Sequence, residues 1–235
     1  MVLGIDFIYV IEVLVKLMKV VPYTLLIMLV SGLAGLFLAV LILAIRINKI
    51  KGLNPLIGVY ISFFRSTPAL IHLFLVYYGM PIVLSKIGID ISSWNKSVFA
   101  VLSLALFNGA YLSEILRPAY LAVDKEQHDA ADSIGLTKFQ KLHRIIIPQA
   151  VPIALPGLGN ALIDLIKDTS VLFVIGLIDI MGKSKLLIAS DYGVKKLEVY
   201  IAAGIIYWVI TNLSNVIING FEKRYNLTGS QNLSG

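Results

Sequence analysis

Residues 20–45 read VVPYTLLIMLVSGLAGLFLAVLILAI, an unbroken stretch with no charged side chain. At ~1.5 Å per helical residue such a run rises about 39 Å, more than the ~30 Å hydrocarbon core of a bilayer. A surface helix of a soluble protein needs a polar face, and this run has none. A second uncharged run, VYIAAGIIYWVITNLSNVIINGF at 199–221, has the same property. Lipid is therefore part of the solvent for this chain.

The whole composition agrees. The 235 residues are 58% hydrophobic and 14% charged, where a soluble domain carries roughly 25% charged residues. Mean hydropathy is +0.87. The net charge of +6 sits in short segments between apolar runs, without a basic stripe or an aromatic platform. It points to anionic headgroups as partners and not to nucleic acid. With no cysteine, disulfides and thiolate metal sites are excluded. The first apolar run is too long for a signal peptide and no small-residue cleavage site follows it, so it is expected to be retained.

Working outward, the pattern predicts an all-α, multi-span transmembrane helical bundle. Residues 1–19 form an N-terminal interfacial segment, with a short helix over 5–19 lying along the membrane. Residues 20–222 form the transmembrane domain, with spans at 20–45, 56–84, 97–117, 145–170 and 199–221. Arg65 and Pro68 interrupt the second. The loop at 46–55 breaks at Gly52 and Asn54-Pro55, and 85–96 carries an interfacial Trp94. Residues 171–198 read as less regular, and 223–235 as a cytoplasmic tail whose stretch NLTGSQNLSG (226–235) is polar and loose. Counting Lys and Arg on the two sides gives ten against eight. That bias leans towards an outside N-terminus and a cytoplasmic C-terminus.

Residues 124–148, DKEQHDAADSIGLTKFQKLHRIIIP, are unlike the rest. Asp124 is placed to cap a helix bearing Ala130, Ala131 and Ile134 at helical spacing, and Gly135 to end it in a tight turn. A second segment with Phe139, Leu142 and Ile146 follows. Two readings stand on these residues alone. The flat Ala-Ala face is a docking knob for a partner, or the segment is an amphipathic loop helix resting on the membrane surface.

This loop resembles the signature segment of binding-protein-dependent ABC importer permeases, in which E-A-A, three residues, G, nine residues and I-x-L-P recur. Here the matching residues are Asp129-Ala130-Ala131, Gly135, Ile145 and Ile147-Pro148, with Asp for Glu and Ile for Leu. YISFFRSTPALIHLFLVYYGMP (60–81), GAYLSEILRPAYLAV (109–123) and LPGLGNALIDLIKDTSVLFVIGLIDI (155–180) are similar to the polar amino-acid branch of that family. The resemblance implies a coupling-helix loop in the cytoplasm, with Asp129, Ala130, Ala131 and Gly135 against a cytoplasmic ATPase subunit pair. It also implies a second permease subunit, an extracytoplasmic solute-binding protein and a polar amino-acid substrate. The location implied is the bacterial cytoplasmic membrane, where lipid is a further partner.

Ionisable groups at membrane depth cost about 2.5–3.5 kcal/mol on insertion scales, so each needs a partner or a wet cavity. Arg65, Glu114, Asp164, Lys167 and Asp168 are such groups. Asn160, Asp164 and Asp168 share one helical face. Either that face lines a substrate path, with Asp164 meeting a solute cation, or the charges neutralise in pairs, Asp164 with Lys167 and Glu114 with Arg65. The resemblance implies that a neutral residue is usual at 164, so the extra acid leans towards arginine, lysine or histidine. His72, where the family often has Gln, is either a hydrogen-bonding pore residue or a packing histidine. Tyr77, Tyr78 and Tyr111 read as interfacial or packing aromatics. Ser31, Gly32, Ala34 and Gly35 form a small-residue face suited to helix packing, including at a subunit interface.

No G-x-x-x-x-G-K-[ST] loop, zinc-spaced His/Glu cluster or nucleophile elbow occurs in the sequence. The chain is expected to have no catalytic residue, no cofactor and no metal, and to leave ATP hydrolysis to a separate subunit. The competing function is an ion-coupled transporter or channel working without an ATPase, which accounts for the buried charges but gives the 124–148 loop no purpose.

Overall fold

The structure, a computed structural model, describes residues 5–231, with side chains described as far as Arg224. The described residues are helical and carry no strand. Helix α1 is Phe7–Met18, α2 Val21–Ile47, α3 Leu53–Ser66, α4 Ala69–Phe74 and α5 Met80–Ser85. A π turn, Leu75–Gly79, joins the last two. Then come α6 Lys96–Leu121, α7 Lys125–Ser133, α8 Lys138–Lys141, α9 Ile147–Asp168, α10 Ile180–Ser190 and α11 Lys196–Gln231.

The order follows from local chemistry. The Asp6 carboxylate accepts the Tyr9 N–H at 3.0 Å and caps α1. Val10, Val13 and Leu17 are buried along one face of α1, against Val199, Ala202, Ala203 and Ile206 of α11. Both sets recur at three- and four-residue steps, the spacing of a packed helix face. The opposite face of α1, with Phe7, Ile8, Ile11 and Val15, is exposed and apolar. Lys195 binds Asp6 at 2.8 Å, and that hydrogen bond holds the Asp6 carboxyl below its usual range.

Helix α6 is the hub, packing on α2, α3, α4 and α9. Its approach to α2 depends on small residues. A Cβ on Gly109 would lie 2.8 Å from the Leu38 side chain, and one on Gly35 would lie 3.2 Å from the Ala105 carbonyl oxygen. Ser31 and Gly35 are buried there, and Gly32 faces Leu165. This small-residue face serves helix packing inside the chain, as expected, and only Ala34 of the set is exposed. Without a hydrophobic drive between helices in lipid, close backbone contact of this kind supplies the packing energy.

Four helical stretches are long and apolar enough to cross a membrane, and a fifth span is completed if the bent pair α3 and Ala69–Ser85 counts as one. The expected second span is therefore not one interrupted rod. Its two halves are bent by 117°. Pro68 forces Thr67 into extended backbone (φ −120°, ψ 149°), and Thr67 Oγ1 donates to the Phe63 carbonyl at 2.7 Å. That bond satisfies a group the break would otherwise strand.

Two further expectations change. The segment 171–198 is mostly ordered: a 3-10 turn over Thr169–Ile175 leads to Gly176 in the left-handed region, and α10 follows. The tail is not loose at its start, because α11 runs on through Gln231. Helix α10 is capped by Asp179, fully buried, whose Oδ1 accepts the Gly182 N–H at 2.8 Å. Its Oδ2 has no hydrogen-bond partner. Asp179→Ala should lower stability by about 1 kcal/mol through the lost cap. Asp179→Asn keeps the acceptor and removes an unpaired buried charge, so it should be at least as stable as the wild type. Thermal unfolding of both variants in one detergent checks the order; an Asn variant less stable than the Ala variant would refute it.

Candidate functional site

Two features carry chemistry. The first is the loop between α6 and α9. Asp124 stands at the N-cap of α7, but its side chain makes no capping hydrogen bond; the expected cap is positional only. The C-terminal end is built more firmly. Leu136 N–H donates to the Ala131 carbonyl at 3.1 Å and Gly135 N–H to Asp132 at 3.0 Å. Gly135 has φ +75°. This is the double bond pattern of a Schellman stop, which needs a left-handed residue at that place. Thr137 and Gln140 form a reciprocal capping box on α8. Lys141 Nζ reaches Asp132 at 2.7 Å and braces the two halves.

The expected Ala-Ala face is split. Ala131 is 1% exposed and points into the loop's own packing, while Ala130 and Asp129 are exposed. Among mostly polar exposed residues, two large apolar side chains face outward: Ile134 and Phe139 flank the turn and are each 74% exposed. Phe139 stacks on His143. The sequence placed Ile134 on the alanine face and Phe139 on the face of Ile146. Position relative to the turn, and not helical spacing, decides where they point. Two large apolar side chains held out on a braced turn form a surface suited to burial against a partner.

The second feature is a charge cluster. Glu114 on α6 accepts from Arg46 of α2 and, at 3.2 Å, from Arg65 of α3. The expected Glu114–Arg65 pair is present, and Arg46 joins it. Arg46 was assigned to a loop, but α2 continues two residues past Ile45 and carries it into the bundle. An apolar run ending directly in arginine is the one local signal that could have identified it. Arg65 also lies 6.0 Å from the Tyr111 ring centre. Arg46, Ser62, Arg65, Tyr111 and Glu114 line an open cavity of about 470 Å³. The cluster carries two cations and one anion, so it keeps a positive charge available to a solute carboxylate.

The remaining candidates lie elsewhere. His72 is 1% exposed, set among the rings of Phe63, Phe64 and Phe107 at 4.5–5.5 Å, with Nε2 bonded to Thr67 Oγ1. It does not line the cavity. Asn160 and Asp164 are exposed on α9, outside the cavity lining. Asp164 is bonded to Lys167 at 3.1 Å, the pairwise neutralisation foreseen as one of two alternatives.

With this geometry in hand, known proteins supply the context. Residues 31–227 match the family described as "Binding-protein-dependent transport system inner membrane component". The L-cystine transport system permease protein TcyL of Bacillus subtilis is 43% identical over 203 residues, 86% of this chain and 84% of that protein. The probable amino-acid permease protein YxeN of the same organism is 36% identical over 219 residues, 93% and 95% of the two chains. The solved structure of an amino acid ABC transporter with histidines is similar at a TM-score of 0.80 and 29% identity. That likeness covers 94% of this chain and 100% of the other.

Proposed function

The chain belongs to the binding-protein-dependent transport system inner membrane components, as an amino-acid ABC transporter permease, and from that premise we propose how its parts work. It is the membrane subunit of an importer that moves polar amino acids by alternating access. A separate cytoplasmic ATPase pair supplies the energy, a second permease subunit completes the pore, and an extracytoplasmic binding protein delivers the solute. The loop is cytoplasmic, the N-terminus outside and the C-terminus inside.

The observation that carries this reading is the 125–141 loop. Its Schellman stop, capping box and Asp132–Lys141 bridge fix a turn that projects Ile134 and Phe139. A braced apolar projection between two spans transmits force between a docked partner and the bundle. Asp129, Ala130 and Gly135 form the polar and small rim of that contact, with Ala131 supporting it from inside. The test is uptake in proteoliposomes by the chain alone and with its ATPase partner. ATP-dependent uptake only in the second case is expected. Uptake by the chain alone, driven by an ion gradient, would establish the competing ion-coupled function.

For the solute path, Arg65, Glu114 and the cavity around them are proposed to meet the polar backbone groups of the amino acid. Asn160 and Asp164 supply a second polar surface on α9, and His72 braces the Thr67 break from behind. TcyL is named for L-cystine, an amino acid with no net positive charge near neutral pH. A preference for arginine, lysine or histidine therefore hangs on Asp164, which is already paired with Lys167. Asp164→Asn is expected to lower uptake of cationic amino acids about tenfold relative to glutamine, the equivalent of ~1.4 kcal/mol. Equal loss for both classes would remove the cationic assignment.

A further inference from the structure

A cavity of about 600 Å³ lies between α2, the end of α6 and the segment from α8 into α9. Its walls run from Leu36 to Asn48 on α2 and from Leu158 back to Ile146 on the α9 side. Each wall spans a rise of about 18 Å along its helix, close to the ~15 Å depth of one hydrocarbon leaflet. Apart from Asn48 and Tyr120, its polar lining residues are Lys138 and Lys141, both at the loop end. Val40 and Ile147, at 49% and 42% exposure, leave the cleft open to the side.

This is an amphiphile-shaped site: an aliphatic trough one leaflet deep, open to the bilayer, with cations at one end. The charges are unequal in availability. Lys141 is engaged by Asp132 at 2.7 Å, whereas Lys138 has no acidic partner among the described residues. An unpaired lysine beside an apolar cleft at headgroup level selects an anion. We propose that the cleft binds one anionic phospholipid, with an acyl chain between α2 and α9 and its phosphate at Lys138. Two of the walls are spans and the third carries the braced turn, so the lipid would tie the turn to the bundle. That last consequence rests on the importer reading, while binding itself needs only that the loop end lies at headgroup level.

The test uses the full chain, purified in a neutral detergent, with phosphatidylglycerol and phosphatidylcholine of identical acyl chains as probes and native mass spectrometry as readout. Phosphatidylglycerol should be retained about tenfold more strongly than phosphatidylcholine. Lys138→Glu should erase that preference, and Lys125→Glu, an equal charge change outside the cleft, should leave it. Ala150→Phe, which fills the trough, should lower retention of both lipids, with helicity by circular dichroism reporting that the variant is folded. Equal retention of the two lipids, or an unchanged preference in Lys138→Glu, overturns the proposal. So does loss of the bound lipid on assembly with a second permease subunit, because the cleft would then be a protein interface. No readout involves ATP or uptake, so failure of the importer reading would leave this result standing.

Discussion

Gly135→Trp is expected to lower ATP-driven uptake by well over tenfold while the chain still inserts and packs. The reason is separable into two parts. Gly135 holds φ +75°, a region that costs an L-residue about 1–2 kcal/mol. A Cβ there meets no atom within 4 Å, so a methyl group added at this position collides with nothing among the described residues. Gly135→Ala therefore isolates strain, and a severalfold loss of uptake is expected. Gly135→Asn, tolerant of the left-handed region, should stay close to the wild type. Loss in the tryptophan variant beyond the alanine variant, with thermal stability equal in the two, reports a surface outside the chain that approaches the turn. Uptake and ATP hydrolysis measured together in proteoliposomes, with flotation to verify insertion, read both parts. Hydrolysis should persist while uptake falls. Tryptophan and alanine variants with equal uptake would mean that nothing docks there.

How much of this was legible in the sequence depends on what hydropathy can encode. The uncharged run of α2 and the run inside α11 identify themselves, because a membrane-length apolar segment has few other fates. Gly135 and its turn were legible for a similar reason: glycine between two short periodic segments signals a stop. Pro68 announced a break, but not its direction. The 117° bend depends on the extended Thr67 backbone and on α4 packing against α6, and a scalar pattern carries neither.

The other misses are of the same kind. Helix α10 was overlooked because lysines dilute its apolar face, although Asp179 three residues before Gly182 is a capping signature. The small residues of α2 were recognised as a packing face, but its partner was not deducible. Gly109 on α6, opposite Leu38, is the complementary half, and nothing local links the two helices. For the charge cluster, Glu114 and Arg65 were paired from a cost argument. Arg46 fell on the wrong side of a span boundary placed two residues short, and that shift changes the site from a neutral pair into a net cation.

That difference makes a quantitative expectation for Glu114→Gln. The side chains of Arg46, Arg65 and Glu114 are 25%, 49% and 27% exposed, so water reaches all three through the cavity. Removing one partner of a fully buried pair costs about 3–5 kcal/mol; partial exposure brings the expected loss here to roughly 1–3 kcal/mol. The loss has a specific source, the repulsion of two guanidinium groups that Glu114 had bridged. A second substitution, Arg46→Gln, should then recover most of the stability, because it removes the uncompensated charge. Uptake should not recover with it if the cluster meets the solute, since the double variant has one cation where the wild type has a bridged pair. The two readouts divide the outcomes. Glu114→Gln with unaltered thermal stability would mean the bridge contributes nothing to the fold. A double variant restored in both stability and uptake would make the cluster a structural brace and take Arg65 and Glu114 out of the path. The double variant keeps the cluster's net charge of +1, so stability restored without uptake is the result expected where the bridged geometry of Arg46, Glu114 and Arg65, and not net charge alone, meets the solute.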